Sequence, residues 1–175
     1  MKYKIFIILI FFSLTLSLAL KLQPDAAVTG KAAPDFTLMS ATGENVTLSS
    51  FKGNIVVLEW FNPDCPFVRK HYGSKNMQKL QKQYTAKGVV WLTINSSAEG
   101  KQGYCTAELA NKIIKEKDMA SSAFLLDHDG KVGKLYDAKT TPHMFVVDQN
   151  GVLVYAGAID DKPSTKIEDI HSALN

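Results

Sequence analysis

Ile55-Val-Val-Leu-Glu-Trp-Phe-Asn-Pro-Asp-Cys65-Pro-Phe-Val-Arg-Lys-His-Tyr72 runs from an apolar stretch into a charged one, with a cysteine and a proline at the junction. Residues 55–61 are β-rich and almost uninterrupted, the pattern of a strand covered on both faces. Pro66 suits the first position of a helix, where a missing N–H costs nothing. Cys65 then becomes the N-cap. Unpaired N–H groups and the positive end of the helix dipole favour thiolate over thiol there, and Arg69, Lys70 and His71 add positive potential. Asp64 acts in the opposite sense. The alternative is that Cys65 is a small buried hydrophobe, a common use of free cysteine.

Working outward, residues 89–95, Val-Val-Trp-Leu-Thr-Ile-Asn, form a second apolar strand. Met77, Leu80 and Tyr84 fall between the two strands at helical spacing, which predicts a βαβ unit with parallel strands. Upstream, Phe36-Thr-Leu-Met and Val46-Thr-Leu flank Ala41-Thr-Gly-Glu as a small hairpin. Downstream, Thr106 caps a helix that reaches about Lys117, with Leu109, Ile113 and Ile114 on its apolar face. Phe124-Leu-Leu-Asp127 is a short strand before the turn His128-Asp-Gly130. Phe145-Val-Val-Asp and Val152-Leu-Val-Tyr, joined by Gln149-Asn-Gly, carry a strong hairpin signal. Ile167, Ile170 and Leu174 begin a last amphipathic helix. The fold class is therefore α/β, a central mixed sheet flanked by helices with an N-terminal hairpin extension.

The first twenty residues differ in kind. Met1-Lys2-Tyr3-Lys4 is a basic start, and residues 5–20 are apolar but for Ser13, Thr15 and Ser17, the plan of a secretory signal peptide cleaved after Ala19. An uncleaved membrane anchor over residues 5–20 is the competing reading. Either places the domain outside the cytoplasm, in the periplasm or facing the extracytoplasmic side. Residues 20–31 read as a linker and 32–175 as one domain, because 175 residues suffice for one core and not for two. Twenty basic against seventeen acidic residues give +3, two of those charges lying in the leader. That is no nucleic-acid footprint. Cys65 and Cys105, the only two cysteines, exclude a disulfide-dense scaffold and a four-cysteine zinc site.

Ala33-Pro-Asp-Phe-Thr-Leu, Phe51-Lys-Gly, Cys65-Pro66 at a helix entrance and Thr141-Pro142 before the final hairpin together resemble the redoxin group (AhpC/TSA, peroxiredoxin-like) of the thioredoxin superfamily. The match covers residues 31–174. The nearest likeness is to secreted peroxiredoxin-like redoxins with an Asp-Cys-Pro-Phe-Val-(Arg/Lys)-Lys-His-Tyr segment, relatives that usually continue beyond this C-terminal helix. The resemblance implies a thioredoxin-like fold and a thiol oxidoreductase without cofactor, with Cys65 as its reactive sulfur. It also implies that Thr141 and Pro142 form a cis-proline turn facing that sulfur, and that these two residues and Trp60 contact substrate.

Departures narrow the activity. The position of a thioredoxin's second cysteine is Val68, so an ordinary dithiol reductase is out. Where a peroxiredoxin has Pro and Thr, seven and three residues before its cysteine, this chain has Leu58 and Asn62. The sole arginine is Arg69, so the distant guanidinium of that site is missing, and lysine lacks its planar fork. Peroxide reduction is thus expected to be slow. Cys105 stands just before Thr106, in the place of a hydrophobic staple. It is also a candidate resolving cysteine, since the loop carrying Gly100 and Gly103 opens on the same rim as Cys65. His143 is either an acid or base for Cys65 or a loop residue. The expected partners are a protein disulfide or small peroxide and an external thiol reductant, and the expected resting state has two free thiols. The alternatives are a metal or copper-handling protein using Cys65 with His71 or His143, and a non-catalytic binding module.

Overall fold

The computed structural model describes residues 26–169, so the leader and the helix expected through Ile170 and Leu174 lie outside the described residues. In chain order the elements are β1 (Thr37–Ser40), β2 (Asn45–Thr47), β3 (Val56–Trp60), α1 (Pro66–Gly73), α2 (Asn76–Thr85) and β4 (Val90–Asn95). There follow α3 (Ala107–Lys117), β5 (Ala123–Leu126), α4 (Lys131–Leu135), β6 (His143–Val147) and β7 (Leu153–Gly157). The strands form one sheet in the order β2-β1-β5-β4-β3-β6-β7. β3 pairs parallel with β4 and antiparallel with β6, and β4 pairs parallel with β5. The α/β class, the hairpin extension and the βαβ unit are those expected from the sequence. Among the described residues no helix is long and apolar enough to cross a membrane.

All five residues of central β3 are buried, which explains why its sequence is apolar but for Glu59. Val56, Leu58 and Trp60 face one core with Phe36, Tyr136 and Phe145. Val57 and Phe61 face the other, with Val68, Tyr72, Met77 and Phe124. Period-two alternation thus feeds two layers, which a half-exposed strand could not do.

Two local readings are corrected and one element is added. The segment read as a linker is docked from Ala27 onward: Ala27 N–H donates to Leu135 O, Gly30 N–H to Leu153 O and Ala33 N–H to Gly151 O, at 2.7–2.9 Å. The lack of periodicity hid a backbone that finds partners on α4, on β7 and on the turn before β7. On α3 the buried residues are Ala110 and Ile113, while Leu109 is exposed. α4 is an added element, too short for periodicity, and the Asp127 carboxylate holds its start by accepting from Val132 N–H (3.2 Å) and Gly133 N–H (2.8 Å). Ile167–Asp169, the last described residues, form a 3₁₀ turn, and the rest of the expected final helix lies outside the described residues.

Candidate active site around Cys65

The loop that delivers Cys65 is built from its own side chains. After β3, Asn62 Oδ1 accepts from Asp64 N–H at 2.8 Å and Asn62 O accepts from Cys65 N–H at 3.1 Å, which turns the chain into α1. Cys65 takes extended dihedrals (φ −69°, ψ 127°), Pro66 opens the helix, and Arg69 N–H closes its first turn onto Cys65 O at 2.9 Å. The half-buried sulfur does not bond the helix N–H groups. Instead the Cys65 thiol donates to Thr141 O at 2.9 Å. The Thr141–Pro142 bond is cis, as the resemblance implied. Beside the sulfur, Pro66 and Phe67 are exposed on the first turn of α1.

The cations expected to stabilise a Cys65 thiolate are engaged elsewhere. Arg69 Nη2 lies 3.3 Å from Asp64 Oδ1, and its Nε donates to Pro63 O at 3.3 Å. Lys70 is fully buried and donates to Asp160 Oδ2 at 2.7 Å. His71 Nε2 lies 3.3 Å from the same oxygen, and its Nδ1 accepts from Asn76 Nδ2 at 3.0 Å. Burial, the largest influence, holds the His71 imidazole below its ordinary range, Lys70 adds to this, and Asp160 opposes it. Lys70 and His71 therefore clamp the segment after β7 against α1. Sequence gave no sign of Asp160, because the contact spans ninety residues.

Trp60 is corrected from a substrate contact to a core residue. It is 3% exposed, its ring centroid lies 5.4 Å from Tyr136 and 5.0 Å from Phe145, and its indole N–H donates to Ser96 Oγ at 3.0 Å. His143 sits across from Trp60 in the β3–β6 register, on the face of Phe145, with its ring centroid 4.4 Å from that ring. Its Nδ1 is buried without a hydrogen-bond partner, and burial lowers its pKa.

Cys105 has no exposed surface, and its thiol donates weakly to Gly103 O at 3.4 Å. Burial first, and the Asp64 carboxylate second, push this thiol up to about 11. Thr106 Oγ1 accepts from Leu109 N–H at 3.1 Å, so the predicted cap and the packing role of the residue before it are both present. Both cysteines are free. Among the described residues no three of His, Cys, Asp or Glu converge on one point.

Glu59 escaped the sequence reading. Its signal was a lone carboxylate inside an apolar run. The side chain is wholly buried, with Oε1 accepting from Tyr72 Oη (2.8 Å) and Oε2 from Trp91 Nε1 (2.8 Å), Gln81 Nε2 (3.1 Å) and Thr93 Oγ1 (3.3 Å). Burial raises its pKa against the opposing influence of these four donors.

A capping cysteine at the end of a central parallel strand, opposed by a cis-proline loop on a mixed sheet, defines a thioredoxin-like thiol protein. The redoxin family model matches residues 28–174, and the chain belongs to the redoxin family. It is 27% identical over 135 residues to the thioredoxin-like protein YneN of Bacillus subtilis, covering 76% of this chain and 74% of that one. Among solved structures it is similar to a conserved protein of Geobacillus kaustophilus, at 29% identity and a TM-score of 0.70 over 79% of this chain and 73% of that chain. It is also similar to the thioredoxin domain of the thiol-disulfide oxidoreductase BVU-2223 of Bacteroides vulgatus, at 25% identity and a TM-score of 0.59, with 75% and 89% covered.

Proposed function

We propose that this redoxin is an extracytoplasmic thiol oxidoreductase that exchanges disulfides through Cys65 alone. The observation that carries the reading is the half-buried Cys65 thiol at the mouth of α1, aimed at Thr141 O, with Val68 buried where a second thiol would stand. As thiolate, Cys65 attacks one sulfur of a protein disulfide, forms a mixed disulfide and releases the other sulfur as a thiolate. An external thiol then attacks the mixed disulfide, returning Cys65 and carrying the oxidising equivalent away. In this reading the substrate meets the sulfur beside Thr141 and Pro142, and the exposed Pro66 and Phe67 offer apolar surface for it. The basic, apolar leader supports placement outside the cytoplasm.

Disulfide exchange is favoured over peroxide reduction by the fate of the neighbouring donors. Leu58 is a core residue, the Asn62 carboxamide is committed to Asp64 N–H and Gln102 O, and Arg69 is turned to Asp64 and Pro63. None is left to polarise a peroxide oxygen. The test is turnover of a mixed-disulfide substrate with a thiol reductant. Cys65→Ser is expected to abolish it and Cys105→Ser to retain it. Undiminished turnover in Cys65→Ser overturns the assignment, and peroxide consumption near ~10⁷ M⁻¹s⁻¹ overturns the preference for disulfides.

A further inference from the structure

The loop bearing Cys105 is fastened to the loop bearing Cys65. Asn95 Nδ2, fully buried, donates to Phe61 O (3.1 Å) and Gly103 O (2.9 Å), a buried joint beneath both loops. Two further connections lie nearer the surface: Asn62 Nδ2 donates to Gln102 O (3.3 Å), which is exposed, and Gly103 N–H donates to Asp64 Oδ2 (3.0 Å), which is part-buried. Gly103 adopts φ +78°, and a Cβ there would fall 2.1 Å from Asn62 Oδ1, so only glycine permits this closeness. The side chain of Asp64 is 46% exposed, and its other oxygen meets Arg69. Water can replace both of its contacts, which makes the Asp64 grip the weak point of the joint.

We propose that Asp64 is a positioning residue that withholds Cys105 from the chemistry of Cys65. While its carboxylate grips the Gly103 amide, an intermediate on Cys65 waits for an external thiol; when the grip is lost, Cys105 resolves that intermediate. The proposal rests on the reading of Cys65 as nucleophile. The resolving step balances without a further reagent. Cys105 gives its proton to solvent and attacks Cys65 Sγ in the mixed disulfide, the Cys65–Cys105 bond forms, and the substrate sulfur leaves as a thiolate that takes up a proton. The oxidant consumed is the substrate disulfide itself. Charge acts with geometry here, since Asp64 opposes ionisation of the buried Cys105 thiol. The other titratable neighbour, His128, donates through Nε2 to Cys105 O at 2.9 Å rather than to the sulfur.

Asp64→Ala removes charge and grip together. Asp64→Asn removes the charge and keeps a weaker neutral acceptor for Gly103 N–H. The probe is oxidised glutathione on the full chain, followed by intact mass and by alkylation of the remaining thiol. Wild type is expected to hold the glutathione adduct on Cys65 with Cys105 unmodified. Asp64→Ala is expected to lose the adduct to a Cys65–Cys105 disulfide and to make Cys105 alkylation several-fold faster, because it frees the loop and removes the carboxylate that opposes ionisation of the thiol. Asp64→Asn should fall between the two, so it decides the matter even where Asp64→Ala does not fold. Adduct lifetime and Cys105 alkylation equal to wild type in both variants overturn the proposal. Because Cys105 alkylation is also read in a Cys65→Ser background, an inert Cys65 would refute the exchange reading without touching this measurement.

Discussion

The Cys65 thiol reaches the backbone oxygen of Thr141 across 2.9 Å, joining residues 76 positions apart in sequence. The helix N-terminus is therefore left uncapped by its own N-cap side chain, and the sulfur is turned toward the cis Thr141–Pro142 loop. A serine hydroxyl can keep the same donor role. In Cys65→Ser the fold is expected to be retained, with stability within about 1 kcal/mol of wild type, since serine ranks among the preferred N-caps. Denaturant unfolding checks this. A loss of several kcal/mol would show that Cys65 holds the fold through packing.

Val68 lies one turn into α1 with no exposed surface, in the place of a second thiol. Val68→Cys exchanges one small buried side chain for another, and the lost packing is expected to cost about 1 kcal/mol. The gain is chemical. The variant should form an internal disulfide with Cys65 when treated with a substrate disulfide and release both substrate thiols without external reductant. Quantifying thiol released per chain reads this directly, two in the variant against one in wild type. One per chain in the variant would mean that α1 holds position 68 away from the sulfur.

Lys70 is a buried ammonium with one carboxylate, that of Asp160, as its hydrogen-bonded partner, and the same carboxylate is shared with His71. Asp160→Ala leaves that charge buried and uncompensated, for which a loss of about 3–5 kcal/mol is expected. Lys70→Met combined with Asp160→Ala should recover most of it, because an apolar pair of similar volume needs no counter-ion. Urea melts of the two variants make the comparison. Equal losses would show that the clamp acts through Asp160 contacts other than Lys70.

Much of this architecture was legible because its signals were local. The run at residues 55–61, Cys65-Pro66 and Gln149-Asn-Gly each dictate a strand, a helix start or a hairpin within a few residues, and each element is present. The place of Cys65 at the start of α1 was legible in the same local way, and the cis Thr141–Pro142 bond was expected from the redoxin resemblance. What escaped depends on partners remote in sequence. The charges of Arg69, Lys70 and His71 could be counted, but their directions follow from Asp64 and Asp160. Trp60 looks like a site residue beside Cys65, yet strand alternation sends its ring into the core with Tyr136 and Phe145. Glu59 was hidden in the same way, since its four donors come from α1, α2 and β4.

That buried carboxyl makes stability depend on pH in a definite direction. Burial raises the folded-state pKa of Glu59 above its ordinary value near 4.5, so the folded chain binds this proton more tightly than the unfolded chain does. Its stabilising contribution is fully present below the unfolded value and is lost as pH rises through the folded one. Glu59→Gln removes the titration. The amide oxygen still accepts from Trp91, Gln81 and Thr93, and the amide N–H can donate to Tyr72 once that hydroxyl rotates, so the variant should fold. The stability of wild type minus that of Glu59→Gln is therefore expected to fall as pH is raised from about 4, by at most ~1.4 kcal/mol per pH unit, and to level off above the folded pKa. Taking the difference cancels the exposed carboxylates, among them Asp118, Asp129 and Asp148, whose lowered pKa values act in the opposite sense in both proteins. Unfolding curves collected across that range test the sign, and a difference that rises with pH would mean that the four donors outweigh burial and keep Glu59 ionised.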